Sequence, residues 1–227
     1  FKGGLPKSAG AVTLSKMCGS GMRAAMFAHD MLVAGSHDVV VAGGMESMTN
    51  APYLMLKGRG GYRMGHDRIF DHMMLDGLED AYEPGRAMGS FAEETCTEYQ
   101  FTREQQDEYA LRSLSRAKDA ITSGAFTREI VAVEVAGRSG VTVIDTDEQP
   151  GNAKPEKIPT LKPAFAKDGT ITAANASSIS DGAAALVVTK ESVAKAQGLP
   201  IAARIIAWAT NSQEPAKFTS APVPAIR

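Results

Sequence analysis

The stretch Ala11-Val12-Thr13-Leu14-Ser15-Lys16-Met17-Cys18-Gly19-Ser20-Gly21-Met22-Arg23-Ala24, closed fifteen residues later by Val39-Val40-Val41-Ala42-Gly43-Gly44, decides the fold. Ala11 to Leu14 reads as a short strand, and Cys18-Gly19-Ser20-Gly21 as a tight turn. Met22, Ala25, Met26, His29 and Val33 then recur at the spacing of one helical face, and Gly35 ends that helix. Asp38 to Ala42 is a continuous apolar run of the kind buried on both faces of a sheet. Strand, turn, helix and strand together outline a βαβ unit and an α/β architecture.

After Met45-Glu46-Ser47-Met48 the texture changes. Residues 49–164 are rich in Gly, Met and charge, and read as a lid-like insertion of mixed structure. One helix in it is well marked: Thr102 and Gln105 stand in capping-box spacing, Ala110, Leu114, Ala117 and Ile121 form an apolar stripe, and Gly124 stops it. Two β-rich pieces follow, Ile130 to Val135 and Val141 to Ile144, before a Pro- and Lys-rich stretch. Regular texture returns in residues 165–227, with Ala183 to Val188 as a second buried strand sharing a sheet with the first. Thr189 is placed to cap a short helix ending at Gly198, and Ile201 to Trp208 alternates loosely as a strand.

The 227 residues carry a formal charge of −2, which gives no electrostatic reason for nucleic acid or an anionic membrane surface as partner. No apolar run approaches bilayer-spanning length. Two well-separated cysteines, Cys18 and Cys96, do not make a disulfide framework and suit a reducing compartment, with the cytoplasm as default. No signal peptide is seen, and Phe1-Lys2-Gly3-Gly4 does not read as a natural start.

Cys18 carries the chemistry in this reading. A thiol at a strand-to-helix turn meets the first helical N–H groups, which lack intrahelical partners and favour the thiolate. Glycines at 19 and 21 let a substrate carbonyl approach the backbone, where the Cys18 N–H can serve an oxyanion. No second Cys or His stands at metal-ligand spacing, so no metal is expected. A buried structural cysteine beside two turn glycines is the alternative that the turn alone leaves open.

Three segments in order settle the preference. Ser15 to Ala24 resembles the acyl-enzyme cysteine signature of thiolases. Val39 to Met48 is similar to the strand and turn that follow it in that family, and Asn175-Ala176-Ser177-Ser178-Ile179-Ser180-Asp181-Gly182-Ala183-Ala184-Ala185 to a third thiolase motif. The resemblance implies a thiolase-like α/β fold. Residues 1–48 and 165–227 would belong to the N-terminal α/β domain, and residues 49–164 to the inserted loop that holds coenzyme A. It implies an acyltransferase that condenses acetyl-CoA with acyl-CoA, or thiolyses 3-ketoacyl-CoA, through a thioester on Cys18. Met88 would sit beside the acyl thioester, Phe165 near the adenine–pantetheine path, and Ala173 and Ser177 along the pantetheine arm. Asn175 and Asp181 are read as holding turns by side-chain bonds to the backbone.

The resemblance also implies no resident cofactor, acetyl-CoA, acyl-CoA and CoA as partners, and a homodimer or homotetramer pairing through the strand before Cys18. Ala87 stands where many short-chain thiolases have a substrate-orienting histidine, which permits a broader acyl range. None of His29, His37, His66 and His72 matches the family's catalytic motif; His29 reads as a helix-face residue and the others as surface or loop. The family's first βα units are expected before Phe1. Its Gly-His-Pro histidine, Cys-x-Gly-Gly-Gly cysteine and Asn-Glu-Ala-Phe asparagine are expected after Arg227. The alternative is a non-catalytic thiolase-like chain that binds CoA or a partner protein.

Overall fold

A computed structural model describes residues 2–227, so the N-terminal Phe1 lies outside the described residues. In chain order the elements are α1 (Ser20–Val33), β1 (Val39–Ser47), β2 (Tyr53–Leu54) and β3 (Phe70–Asp71). A π-helical turn (Met74–Leu78), α2 (Met88–Tyr99), α3 (Arg103–Ser123), β4 (Val133–Gly137), β5 (Gly140–Ile144) and α4 (Glu148–Asn152) follow. β6 (Asp181–Thr189), α5 (Glu191–Ala196) and α6 (Pro222–Ile226) complete the order. The chain forms two compact units. One runs to Gly85 and includes Ile179–Gln213 and Ala221–Arg227; the other is Arg86–Ser178 with Glu214–Ser220.

In the first unit β1 and β6 pair antiparallel over their whole length, from Val39↔Thr189 to Ser47↔Asp181. The two apolar segments, 134 residues apart at that last pair, therefore share one sheet as the sequence suggests. α1 packs on this ribbon. Its buried residues are Ala28 and Leu32, while Met22 and Val33 are exposed. The helix is where its periodicity puts it, but the inward face is rotated from the expected one. The reason is the glycine contact: a Cβ on Gly44 would stand 3.1 Å from Gly21 Cα, so α1 approaches β1 backbone to backbone. Only small side chains fit beside such a contact. Gly43 is confined from the other side, because a Cβ there would collide with the Ala184 carbonyl oxygen.

Three strand expectations need correction. Ala11 to Leu14 is not a strand; Val12 is 91% exposed, and no described segment forms a backbone ladder with it. Ile201 to Trp208 likewise has no strand pairing. β1 and β6 are strands, but they are not buried on both faces: Val39, Val41 and Val187 are exposed, and Ala42 alone in β1 is buried. Among the described residues nothing covers that apolar row.

The second unit is built on α2 and α3. Thr102 caps α3 as expected: its hydroxyl accepts from the Gln105 N–H at 3.2 Å, while Gln105 Oε1 accepts from the Thr102 N–H at 3.0 Å. Gly124 ends the helix in the left-handed region, φ 68°. The stripe is only partly covered, with Ile121 exposed; the buried residue of α3 is the charged Asp107. β4 and β5 form a hairpin closed at Gly137↔Gly140, with every residue exposed. Back in the first unit, α5 forms, but Thr189 does not cap it; its hydroxyl donates to the Asp38 carbonyl at 2.6 Å and Lys190 takes the cap position.

If the glycine contacts set the sheet, Gly43→Ala in the full-length protein should cost about 1–3 kcal/mol by overpacking. Gly182→Ala, where a new Cβ meets nothing within 4 Å, should change stability by no more than about 0.5 kcal/mol. Thermal melting of the two variants side by side checks this.

Candidate functional site

Cys18 lies at the tip of a turn that its neighbours hold by hydrogen bonds. The Gly19 N–H donates to the Lys16 carbonyl at 3.0 Å, which places Met17 and Cys18 at the centre of the turn. Met17 sits at φ 50°, in a region that a residue with a side chain adopts at a cost of about 1–2 kcal/mol. Ser20 secures it: its hydroxyl accepts from the Lys16 N–H at 2.9 Å and donates to the Met17 carbonyl at 2.6 Å. The motif reading took Ser20 only as a letter in a pattern; its bracing role becomes visible once the turn is closed. α1 begins at Ser20, with Gly19 at its cap and no side chain capping it. Cys18 is exposed, and Cys96 on α2 is half-buried.

The turn opens onto a cleft of about 910 Å³ within the first unit. Its walls include Cys18, Gly21, Gly43, Gly44, Glu46 and Ala183, which joins all three recognised segments around one space. His72 and Asp76 line it as well, with His72 Nε2 3.3 Å from Asp76 Oδ2. The sequence alone places His72 among surface or loop residues. Nothing but folding carries this placement, since His72 follows β3 and precedes the π-helical turn in a segment without periodicity. Asp181 starts β6 and braces the turn after β1, accepting from the Thr49 N–H at 2.9 Å and the Ser47 hydroxyl at 3.4 Å. The Thr49 N–H holds the Asp181 carboxyl below the usual carboxylate range.

The remaining sequence-named residues lie in the second unit. Met88 opens α2 and is half-buried. Phe165 lies directly on Gly89, so that a Cβ there would collide with its ring; Phe165 and the start of α2 are thus brought together. Ala173 and Ser177 are exposed on the segment that follows the buried Ile171 and Thr172. Asn175 holds that segment, its Oδ1 accepting from the Thr172 N–H at 2.7 Å and its Nδ2 donating to the Thr170 carbonyl at 3.1 Å and to Asp107 Oδ1 at 3.0 Å. Arg103 pairs with the other Asp107 oxygen at 2.7 Å. Among the described residues no group of three or more His, Cys, Asp or Glu is placed to hold a metal ion, and no helix is long and apolar enough to cross a membrane.

A glycine-backed cysteine turn over a cleft, joined to this α/β scaffold, is the architecture of the thiolases. Residues 1–192 match the family model of the thiolase N-terminal domain, and the chain belongs to that family. It is 48% identical to acetyl-CoA acetyltransferase 2 of Arabidopsis thaliana over 226 residues, covering 98% of this chain and 56% of that protein. It is 47% identical to an acetyl-CoA acetyltransferase of Escherichia coli, covering 99% and 57%. The crystal structure of the Acat5 thiolase from Ascaris suum in complex with coenzyme A superposes with a TM-score of 0.88 at 43% identity, covering 97% of this chain and 56% of that one. The chain thus has the thiolase-like α/β fold and spans about half the length of the curated relatives it matches.

Two outcomes test this geometry. Iodoacetamide should label Cys18 before Cys96 in the full-length protein, and faster labelling of Cys96 by peptide mapping would contradict the exposed turn. Asp181→Asn should melt below the wild type at pH 7. Because folding depresses the Asp181 carboxyl, its contribution is complete above the ordinary value of 3.8 and fades as pH falls through the lower native value. The gap between the two melting curves should therefore narrow as pH falls below 3.8.

Proposed function

We propose that the whole protein is an acetyl-CoA C-acyltransferase, catalysing reversible condensation of acetyl-CoA with acyl-CoA and thiolysis of 3-ketoacyl-CoA. The observation that carries it is the exposed Cys18 on a braced turn at the cleft edge, with glycine backbone at 21, 43 and 44 around it. In the thiolysis direction the Cys18 thiolate adds to the 3-keto carbonyl. The Cα–Cβ bond then breaks, acetyl-CoA leaves as its enolate and takes up a proton, and the acyl group stays on Cys18 as a thioester. CoA thiolate then attacks that thioester, releasing acyl-CoA and regenerating the Cys18 thiolate. Proton transfers in both halves are assigned, by resemblance, to the histidine and second cysteine of the family's C-terminal half.

Residues 49–164 are read as the loop domain that holds CoA, with Met88, Phe165, Ala173 and Ser177 against the acyl thioester and the pantetheine–adenine path. The relative from Ascaris suum was solved with coenzyme A, which supports CoA as the ligand here. Fatty-acid metabolism, a cytoplasmic location and a homodimer or homotetramer complete the proposal. The Ala11–Leu14 segment, with Val12 exposed, is the stretch offered for pairing with a second copy.

The test is turnover of acetoacetyl-CoA with CoA by the full-length protein. Cys18→Ser should lower kcat on the order of 10⁴-fold or more. Quenched wild-type reactions should carry an acetyl group on the peptide containing Cys18. Full activity in Cys18→Ser, or acetylation confined to Cys96, would overturn the assignment.

A further inference from the structure

Phe165 sits on a loop with little packing of its own. The loop is closed by a bond of 2.9 Å from the Ala164 N–H to the Ile171 carbonyl, and Phe165 itself is 40% exposed. What places it is one face of α2. Gly89 and Glu93 are four residues apart, hence neighbours along that face. Gly89 leaves the space in which the Phe165 ring lies.

One turn further on, the Glu93 carboxylate accepts from the Thr170 N–H at 2.9 Å, the Thr170 hydroxyl at 3.1 Å and the Ile171 N–H at 2.8 Å. Gly169 makes room for it, since a Cβ there would collide with the carboxylate. Gln106 on α3 adds a second tie, donating to the Thr170 hydroxyl at 2.8 Å. Three converging donors, two of them backbone, and a glycine hollow form a seat for an anion, and Glu93 supplies it from within the chain.

We propose that Glu93 is a positioning residue for coenzyme A: by clamping Thr170 and Ile171 it fixes the 164–171 loop so that Phe165 is held ready for the cofactor portion of the substrate. This rests on the reading that Phe165 contacts CoA. Glu93 touches no substrate in this account. It removes freedom from the loop before binding, so its loss weakens CoA capture without altering the chemistry at Cys18.

The experiment uses the full-length enzyme, with initial rates of acetoacetyl-CoA thiolysis measured against CoA concentration for wild type, Glu93→Gln and Phe165→Ala. Glu93→Gln keeps the volume and removes the charge. It should raise the KM for CoA about tenfold while kcat stays within about twofold, and Phe165→Ala should raise it similarly. A fall in kcat at unchanged KM in Glu93→Gln would overturn the proposal. So would an unchanged KM in Glu93→Gln while Phe165→Ala raises it, which would leave the CoA reading intact. Unchanged KM in both variants would overturn the CoA reading and the proposal with it. Should Glu93→Gln not fold, Thr170→Val decides in its place. It deletes the hydroxyl bonds to Glu93 and Gln106 but keeps both backbone bonds. A threefold or larger rise in KM that Thr170→Ser restores supports the clamp, and an unchanged KM refutes it.

Discussion

The close approach of α1 to β1 at Gly21 and Gly44 is the contact on which the rest of the first unit depends. A side chain on Gly44 would bring its Cβ to 3.1 Å from the Gly21 Cα and push helix and strand apart, and Gly43, pressed against the Ala184 carbonyl, prevents the strand from shifting away to compensate. With both sides fixed, the turn that begins α1 has one height above the sheet. That height leaves Cys18 on the edge of the cleft rather than beneath the helix. Packing here is specified by the absence of side chains, which is why the buried positions of α1 are small or set further along it, at Ala28 and Leu32.

The second unit solves a different problem with different chemistry. Its loop from Ala164 to Ser177 contributes few large apolar side chains, so burial alone would fix it weakly. Polar anchors replace burial. Glu93 gathers Thr170 and Ile171, Asn175 turns the chain back on Thr172 and Thr170, and Asp107 joins Asn175 to Arg103. Asp107 is buried yet fully partnered, which is the condition under which a buried charge rigidifies rather than destabilises.

Legibility in the sequence followed this division. Elements announced by local signals were readable: α1 from its period, α3 from Thr102, Gln105 and Gly124, and β4 and β5 as two β-rich pieces, though not their pairing. The bounds of α2 were not, because no side chain caps it and it ends on Gln100 at φ 56° instead of a glycine. The strand at Ala11–Leu14 was misread because a strand exists only with a partner, and β propensity says nothing about partners. The turn that carries Cys18 was readable from its glycines and the helix that follows. His72 on the cleft wall and Glu93 under the loop were not, since their roles arise from contacts between segments far apart in sequence. Glu93 meets Thr170 across 77 residues.

The turn at Cys18 shows why an unfavourable backbone can be the stable choice. Met17 is 66% exposed, so its own packing does little to offset its left-handed conformation. A glycine there would relieve the strain, but it would also widen the conformations open to the residue beside the thiol. Keeping a side chain at 17 narrows that choice, and Ser20 makes the surviving conformation the favoured one by reaching back across the bend to the Lys16 N–H and the Met17 carbonyl. The strain is thus confined to one residue and answered by hydrogen bonds within four residues of it. It need not be carried by the sheet, whose glycine contacts have no slack to absorb it. An exposed thiol cannot be held by burial, and short-range hydrogen bonds within its turn are the remaining way to keep it in place.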